Sequence, residues 1–139
     1  MDGRLKIHFY RKLEIKMIRN FILVGLGGAL GSMMRYAVHL SATVKSFPYG
    51  TFVVNIVGSF IIGLVLAFSV KEASFLNNWK IFLATGICGG FTTFSAFSIE
   101  NLALLQNGKI GIAFLYITSS IFFGIAAAWL GFKLIIPNT

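Results

Sequence analysis

Gly86-Ile87-Cys88-Gly89-Gly90-Phe91-Thr92-Thr93-Phe94-Ser95-Ala96-Phe97-Ser98 is the stretch whose reading decides the fold. It lies in the middle of a long apolar run that covers residues 79–105. Gly89-Gly90 and Thr92-Thr93 are poor helix residues, so a helix interrupted at mid-membrane is expected. In hydrocarbon, freed carbonyls and amides are tolerated only inside protein or beside a water-filled cavity. Half-helix ends of this kind serve as ion sites, with carbonyls facing cations and amides facing anions. A continuous helix with a tight glycine crossing would account for the glycines. It leaves unexplained why break, hydroxyls and paired rings coincide.

Three more apolar runs surround this one, at residues 18–40, 52–70 and 110–136. Each approaches or exceeds the roughly 20 residues a helix needs to cross about 30 Å of hydrocarbon. The connections, 41–51, 71–78 and 106–109, are short and leave no room for a soluble domain. Composition agrees. Of 139 residues, 57% are hydrophobic and 12% charged, against about 25% charged in soluble domains. Mean hydropathy is +0.85. A soluble domain of this length lacks the interior to hide so much apolar surface. The expected fold is an all-α membrane protein of four transmembrane helices, with a channel-like domain over residues 17–139 and a basic tail over 1–16.

The function classes shrink accordingly. One cysteine, Cys88, excludes membrane thiol oxidoreductases, which need pairs. There is no phosphate loop, zinc spacing or Ser/His/Asp constellation, and His8 and His39 are far apart. An enzyme is therefore not expected. The formal charge is +8. Five of the 12 cations (Arg4, Lys6, Arg11, Lys12, Lys16) fall in the tail, and the rest are scattered between the apolar runs or toward their ends. That distribution reads as membrane topology and not as a nucleic-acid surface. The tail lacks the short apolar region and cleavage site of a signal peptide. It is expected to be disordered or to lie at the interface.

Small residues recur every four positions: Gly27, Gly31 and Arg35 in the first run, Thr51, Asn55, Ser59 and Gly63 in the second, Tyr116, Ser120, Gly124 and Ala128 in the fourth. Such faces let helices approach closely in lipid. Asn55, Tyr116 and Ser120 are polar groups at membrane depth and need partners or water. Phe94 and Phe97, three apart, share a face, and their positive ring edges can face an anion without trapping it. Arg35 either snorkels to the interface or concentrates anions at a vestibule. Glu100 is read as a capping or pairing group. With no acid in the other three runs, a proton relay lacks support.

Three motifs carry a family resemblance. Gly27-Gly28-Ala29-Leu30-Gly31-Ser32-Met33-Met34-Arg35-Tyr36, Gly50-Thr51-Phe52-Val53-Val54-Asn55-Ile56-Val57-Gly58-Ser59-Phe60 and Gly89-Gly90-Phe91-Thr92-Thr93-Phe94-Ser95-Ala96-Phe97 resemble, in order, the first three spans of the Fluc (CrcB) fluoride channels. The resemblance covers residues 17–136. It implies an antiparallel, dual-topology homodimer in a prokaryotic cell membrane, with two narrow pores that export fluoride passively and confer fluoride resistance. By the same resemblance, Asn55 lines the pore, Phe94 and Phe97 offer ring edges, and Tyr116 and Ser120 form a polar track. Thr93 and Ser95 add hydroxyls, and Arg35 is the motif arginine. The carbonyls of Gly89 and Thr92 hold a structural sodium ion at the dimer centre. Ala96 departs from the pattern, because many relatives carry a hydroxyl there.

The basic tail departs too. From Met17 on, Arg19, Lys71, Lys80 and Lys133 on one side face Lys45 and Lys109 on the other, with Arg35 near that end. This bias is weak enough for both orientations. The tail's five cations should hold the N-terminus inside. Translation is therefore expected to begin effectively at Met17, or the tail to cross the membrane despite its charge. Two other functions fit a four-span chain. A small multidrug exporter needs a carboxylate in the first span, where this chain has Arg35. A non-transporting assembly subunit has no need of an interrupted helix, an asparagine or paired rings.

Overall fold

The computed structural model describes residues 3–41, 47–72 and 79–137, with side chains from residue 7 onward. Among the described residues every regular element is helical. Helix α1 is Gly3–Ser41 and α2 is Tyr49–Lys71. A π-wound stretch, Ile81–Cys88, continues into Gly89–Phe91, and together they form α3. Helices α4, Phe94–Gln106, and α5, Ile110–Ile135, complete the chain. Four helical stretches are long and apolar enough to cross a membrane: Ile7–Ser41, Tyr49–Lys71, Ile81–Gln106 and Ile110–Ile135. They coincide with the four apolar runs, apart from the start of the first.

The bundle is held by glycines in two pairs of helices. α1 lies on α3 with backbones in contact. A Cβ on Gly27 would sit 2.6 Å from the Phe82 carbonyl and 2.9 Å from the Gly86 Cα. One on Gly31 would strike the Ile87 carbonyl, and one on Gly90 the Gly28 carbonyl. α2 lies on α5 in the same manner, with Gly63 against Ala128 and Gly131 against the Phe60 carbonyl. Close backbone approach of this kind supplies packing where lipid tails are as apolar as leucine. The protein interior is accordingly small, with Val54, Val65, Ala67, Ala113, Tyr116 and Ala127 at its centre. Phe47 folds over Tyr116 with ring centroids 5.2 Å apart.

Local chemistry sets the helix ends. Pro48, buried, precedes α2, and its carbonyl accepts from Phe52 N–H at 3.1 Å. The 106–109 connection is a tight reversal. Gly108 takes φ +71°, its N–H bonds the Leu105 carbonyl at 3.0 Å, and Lys109 N–H reaches Leu104 at 2.9 Å. This is the Schellman arrangement that glycine permits.

Two features are located more narrowly. The interruption falls at Thr92 (ψ 157°) and Thr93 (φ −152°, ψ 120°), whose backbones are extended. Gly89 and Gly90 are helical, and Gly90 is a packing glycine. The tail is helical from Gly3 on and continuous with the first span, where disorder was one expectation. The connecting residues 42–46 and 73–78, and with them Lys45, lie outside the described residues.

Gly31→Ala should cost about 1–3 kcal/mol, because the neighbour is rigid backbone and one helix must shift. Gly25→Ala, with nothing within 4 Å of its Cβ, should be neutral. Thermal loss of the monodisperse detergent-solubilised protein measures both. Equal melting of the two variants would contradict the packing assigned to Gly31.

Candidate functional site: the interruption between Phe91 and Phe94

A continuous helix would send Thr93 N–H to the Gly89 carbonyl, four residues back. Here it goes to Asn55 Oδ1 at 2.8 Å, and Asn55 Nδ2 donates to the Thr93 carbonyl at 3.2 Å. The side-chain amide of α2 thus pairs with one residue's backbone as a neighbouring strand would. Arg35 Nη1 donates to the Thr92 carbonyl at 3.2 Å. Thr93 Oγ1 caps α4 by accepting Ala96 N–H at 3.2 Å, and lies 3.2 Å from Ser95 Oγ. Thr92 Oγ1 donates back to the Cys88 carbonyl at 2.9 Å. Side chains of α1 and α2, with the Thr93 hydroxyl, therefore take up the Thr92 carbonyl, both Thr93 backbone groups and the Ala96 N–H.

Thr93 lines two cavities. One, of about 490 Å³, is lined by Ser32, Arg35, Tyr36, His39, Thr93, Ser95, Ala96 and Ile99. The other, of about 320 Å³, is lined by Asn55, Gly58, Ser59, Ile62, Ala84, Cys88, Gly89, Thr92, Thr93 and Phe94. The first contains the guanidinium and the N-terminal turn of α4, whose unpaired N–H groups favour negative charge. Arg35 is half-buried, so it braces the break instead of reaching for the interface. Phe94 is 79% exposed beside the second cavity. Its ring centroid lies 5.8 Å from that of half-buried Phe97.

One helical turn further along α4, a second cluster closes around Glu100. Thr51 Oγ1 donates to Oε1 at 2.7 Å and the Tyr116 hydroxyl to Oε2 at 2.8 Å. His39 Nε2 lies 3.5 Å from Thr51 Oγ1. Thr51 has one proton, given to the carboxylate, so the imidazole nitrogen is the donor in that contact. Thr51 and Tyr116 are fully buried. Phe97 packs against Tyr116 at an interplanar angle of 59°, centroids 5.0 Å apart, and links the cluster to the break. Ser120 stands apart, its hydroxyl buried with no hydrogen-bond partner.

The structure thus gathers Asn55, Thr93, Phe94, Ser95 and Arg35 at the break and Phe97 with Tyr116 beside it. It shows no bond from Ser120 to either group. The sequence reading missed Thr51 as a partner of Glu100. The signal was present in Glu100 as a lone carboxylate at membrane depth, which needs donors, and in Thr51 heading the same four-residue repeat as Asn55.

Four spans, an interrupted helix and a polar seam define a multi-pass membrane transport protein. A sequence model of the family described as CrcB-like protein, Camphor Resistance (CrcB), matches residues 22–132, and the chain belongs to that family. The fluoride-specific ion channel FluC of Flavobacterium psychrophilum is 47% identical over 117 residues, covering 82% of this chain and 94% of the relative. That of Thermus thermophilus is 48% identical over 122 residues, covering 84% and 94%. That of Oceanobacillus iheyensis is 42% identical over 118 residues, covering 84% and 92%.

Glu100→Gln keeps the shape and leaves one acceptor for two hydroxyls. It should lower stability by about 1–3 kcal/mol, the cost of one unpaired buried group. Tyr116→Phe in the Glu100→Gln background should then cost less than in the parent. A double-mutant cycle of thermal stability reads the coupling, and strict additivity would contradict the shared carboxylate.

Proposed function

We propose that this chain is a fluoride channel that exports the ion passively from the cytoplasm. The observation that carries the reading is the interruption at Thr92–Thr93, set between two cavities and furnished with donors. The names of the relatives supply the ion. Fluoride is small and holds its water tightly. Entry needs donors that replace that water, and exit needs each of them to be weak. Arg35 and the first turn of α4 attract the anion to the cavity that they line. Asn55 has one amide N–H left after bonding Thr93. Thr93 and Ser95 share one bond and keep one hydroxyl proton free. Phe94 and Phe97 offer ring edges. Ser120 carries an unspent hydroxyl. Tyr116 has its only proton on Glu100, so it acts by holding that carboxylate in place. A membrane potential, negative inside, drives the ion outward with no coupled reaction.

The same reading includes an antiparallel homodimer, whose two-fold axis lies in the membrane plane. The exposed ring of Phe94 and the exposed backbone of Gly89 give a second copy a surface to cover. A sodium ion at that axis fits the residues present. The Gly89 carbonyl has lost its helical donor to Asn55, and the Thr92 carbonyl has a second lone pair beside the one facing Arg35. Both are hard oxygen ligands. The ion would take up the unpaired Gly89 carbonyl and the second lone pair of Thr92, with the remaining ligands from the second copy.

Purified protein in liposomes should release fluoride without a proton gradient or nucleotide, and chloride far more slowly. Phe94→Ile and Phe97→Ile should lower flux at least tenfold in protein that still forms dimers. Asn55→Asp places a negative charge in the path and should abolish flux. Equal chloride flux, or no flux of either ion, would overturn the reading. Unchanged fluoride flux in all three variants would leave the rings and the amide as packing groups.

Orientation tests the dimer. Chains begun at Met17 should label from both sides of the membrane and should lose dimers when sodium is replaced by a bulky organic cation. One inside-only orientation for both full-length and Met17-start chains, with flux intact, would refute the antiparallel homodimer and require an oppositely inserted partner subunit.

A further inference from the structure

Helix α1 is longer than a membrane requires. Its 39 residues measure about 58 Å at 1.5 Å per residue, against about 30 Å of hydrocarbon. The excess lies at the N-terminus, where the family match, which starts at residue 22, has not begun. Every side chain from Ile7 to Arg19 is exposed, so this part of the helix packs against nothing else among the described residues.

Two stripes run along it. Phe9, Leu13 and Met17, four residues apart, form an apolar stripe, exposed by 55%, 42% and 57%. His8, Lys12 and Lys16, one position behind, form a basic stripe that Arg11 and Arg19 widen. Residues four apart share a helical face, and a one-residue offset places the stripes about 100° apart, side by side. The sole acid between Ile7 and Arg19 is Glu14.

We infer that this N-terminal extension docks on the headgroups of anionic lipids. α1 leaves the span as one unbroken helix, so Met17 meets the acyl boundary while Lys16, Lys12 and Arg11 reach back to the headgroup layer along their apolar stems. Charge complementarity selects the occupant. A cluster of cations next to a span is drawn to an anionic leaflet, whereas a second copy of the extension would bring the same cations together. The inference does not depend on which ion the protein conducts.

The full chain, reconstituted in phosphatidylcholine vesicles with or without one-third phosphatidylglycerol, provides the test. Proteinase K is added outside, and cutting within residues 3–17 of chains whose tail faces out is timed against cutting at the exposed 106–109 connection of oppositely inserted chains, since the tail and that connection lie on opposite sides of the membrane. Phosphatidylglycerol should slow the tail cut at least fivefold relative to that reference. About 1 M salt, which shrinks the Debye length to about 3 Å, should restore it. So should the combined Arg11→Gln, Lys12→Gln and Lys16→Gln changes. Equal rates in the two lipids would overturn the inference. So would protection that persists in the neutralised variant, which would assign the cover to protein.

Discussion

The backbone of Thr93 is the constraint on which the rest of the structure depends. An unsatisfied peptide group in hydrocarbon costs several kcal/mol, and an extended residue inside a spanning helix frees more than one. Asn55 takes both of the Thr93 groups, Arg35 takes the Thr92 carbonyl and the Thr93 hydroxyl takes Ala96 N–H. These partners come from α2, α1 and the break itself, so the interruption survives only if the helices stay in register. The glycine contacts supply that register. Without the backbone approach of Gly27 and Gly31 to α3, the Arg35 side chain, one turn beyond Gly31, would be displaced from the carbonyl it satisfies.

Much of this was legible in the sequence, and the reasons differ by residue. Four apolar runs announce four helices because bilayer thickness fixes their length. Glycine at every fourth position announces a packing seam. The location of the break was harder. Gly89-Gly90 and Thr92-Thr93 are all weak helix residues, and propensity does not choose between them. Tertiary contact does. Gly90 is held helical by its fit against Gly28, while Thr93 finds in Asn55 a substitute for both of its helical bonds. The roles of Asn55 and Arg35 in bracing the break, and of Tyr116 and Thr51 in serving Glu100, depend on pairings between distant residues. A single sequence names such residues without saying which of them meet.

The Glu100 cluster answers a different requirement. A carboxylate beside an anion path would repel the ion if its charge were open to it. Two hydroxyl donors on its two oxygens, with an imidazole behind one of them, spread that charge into hydrogen bonds. Phe97, between Tyr116 and Phe94, separates the carboxylate from the exposed ring. Removing the acid would be no simple relief, since Thr51 and Tyr116 are buried and would be left with unspent protons.

What is left over after these bonds is what a passing ion can use. The strong groups are committed: the Arg35 nitrogen to Thr92, one Asn55 proton and its oxygen to Thr93, the Tyr116 proton to Glu100. Arg35 keeps its charge and its other N–H groups beside one cavity, and the neutral groups still free are single and weak. They are one amide N–H, one proton shared between Thr93 and Ser95, the Ser120 hydroxyl and the ring edges of Phe94 and Phe97. A site built from the committed groups would hold an anion tightly and release it slowly. A row of leftover donors replaces hydration in small steps, and small steps are what conduction requires. The interruption therefore does two things through one constraint. It commits strong groups to holding itself together, and it leaves single donors of Asn55, Thr93 and Ser95 and the ring of Phe94 along the two cavities that Thr93 lines.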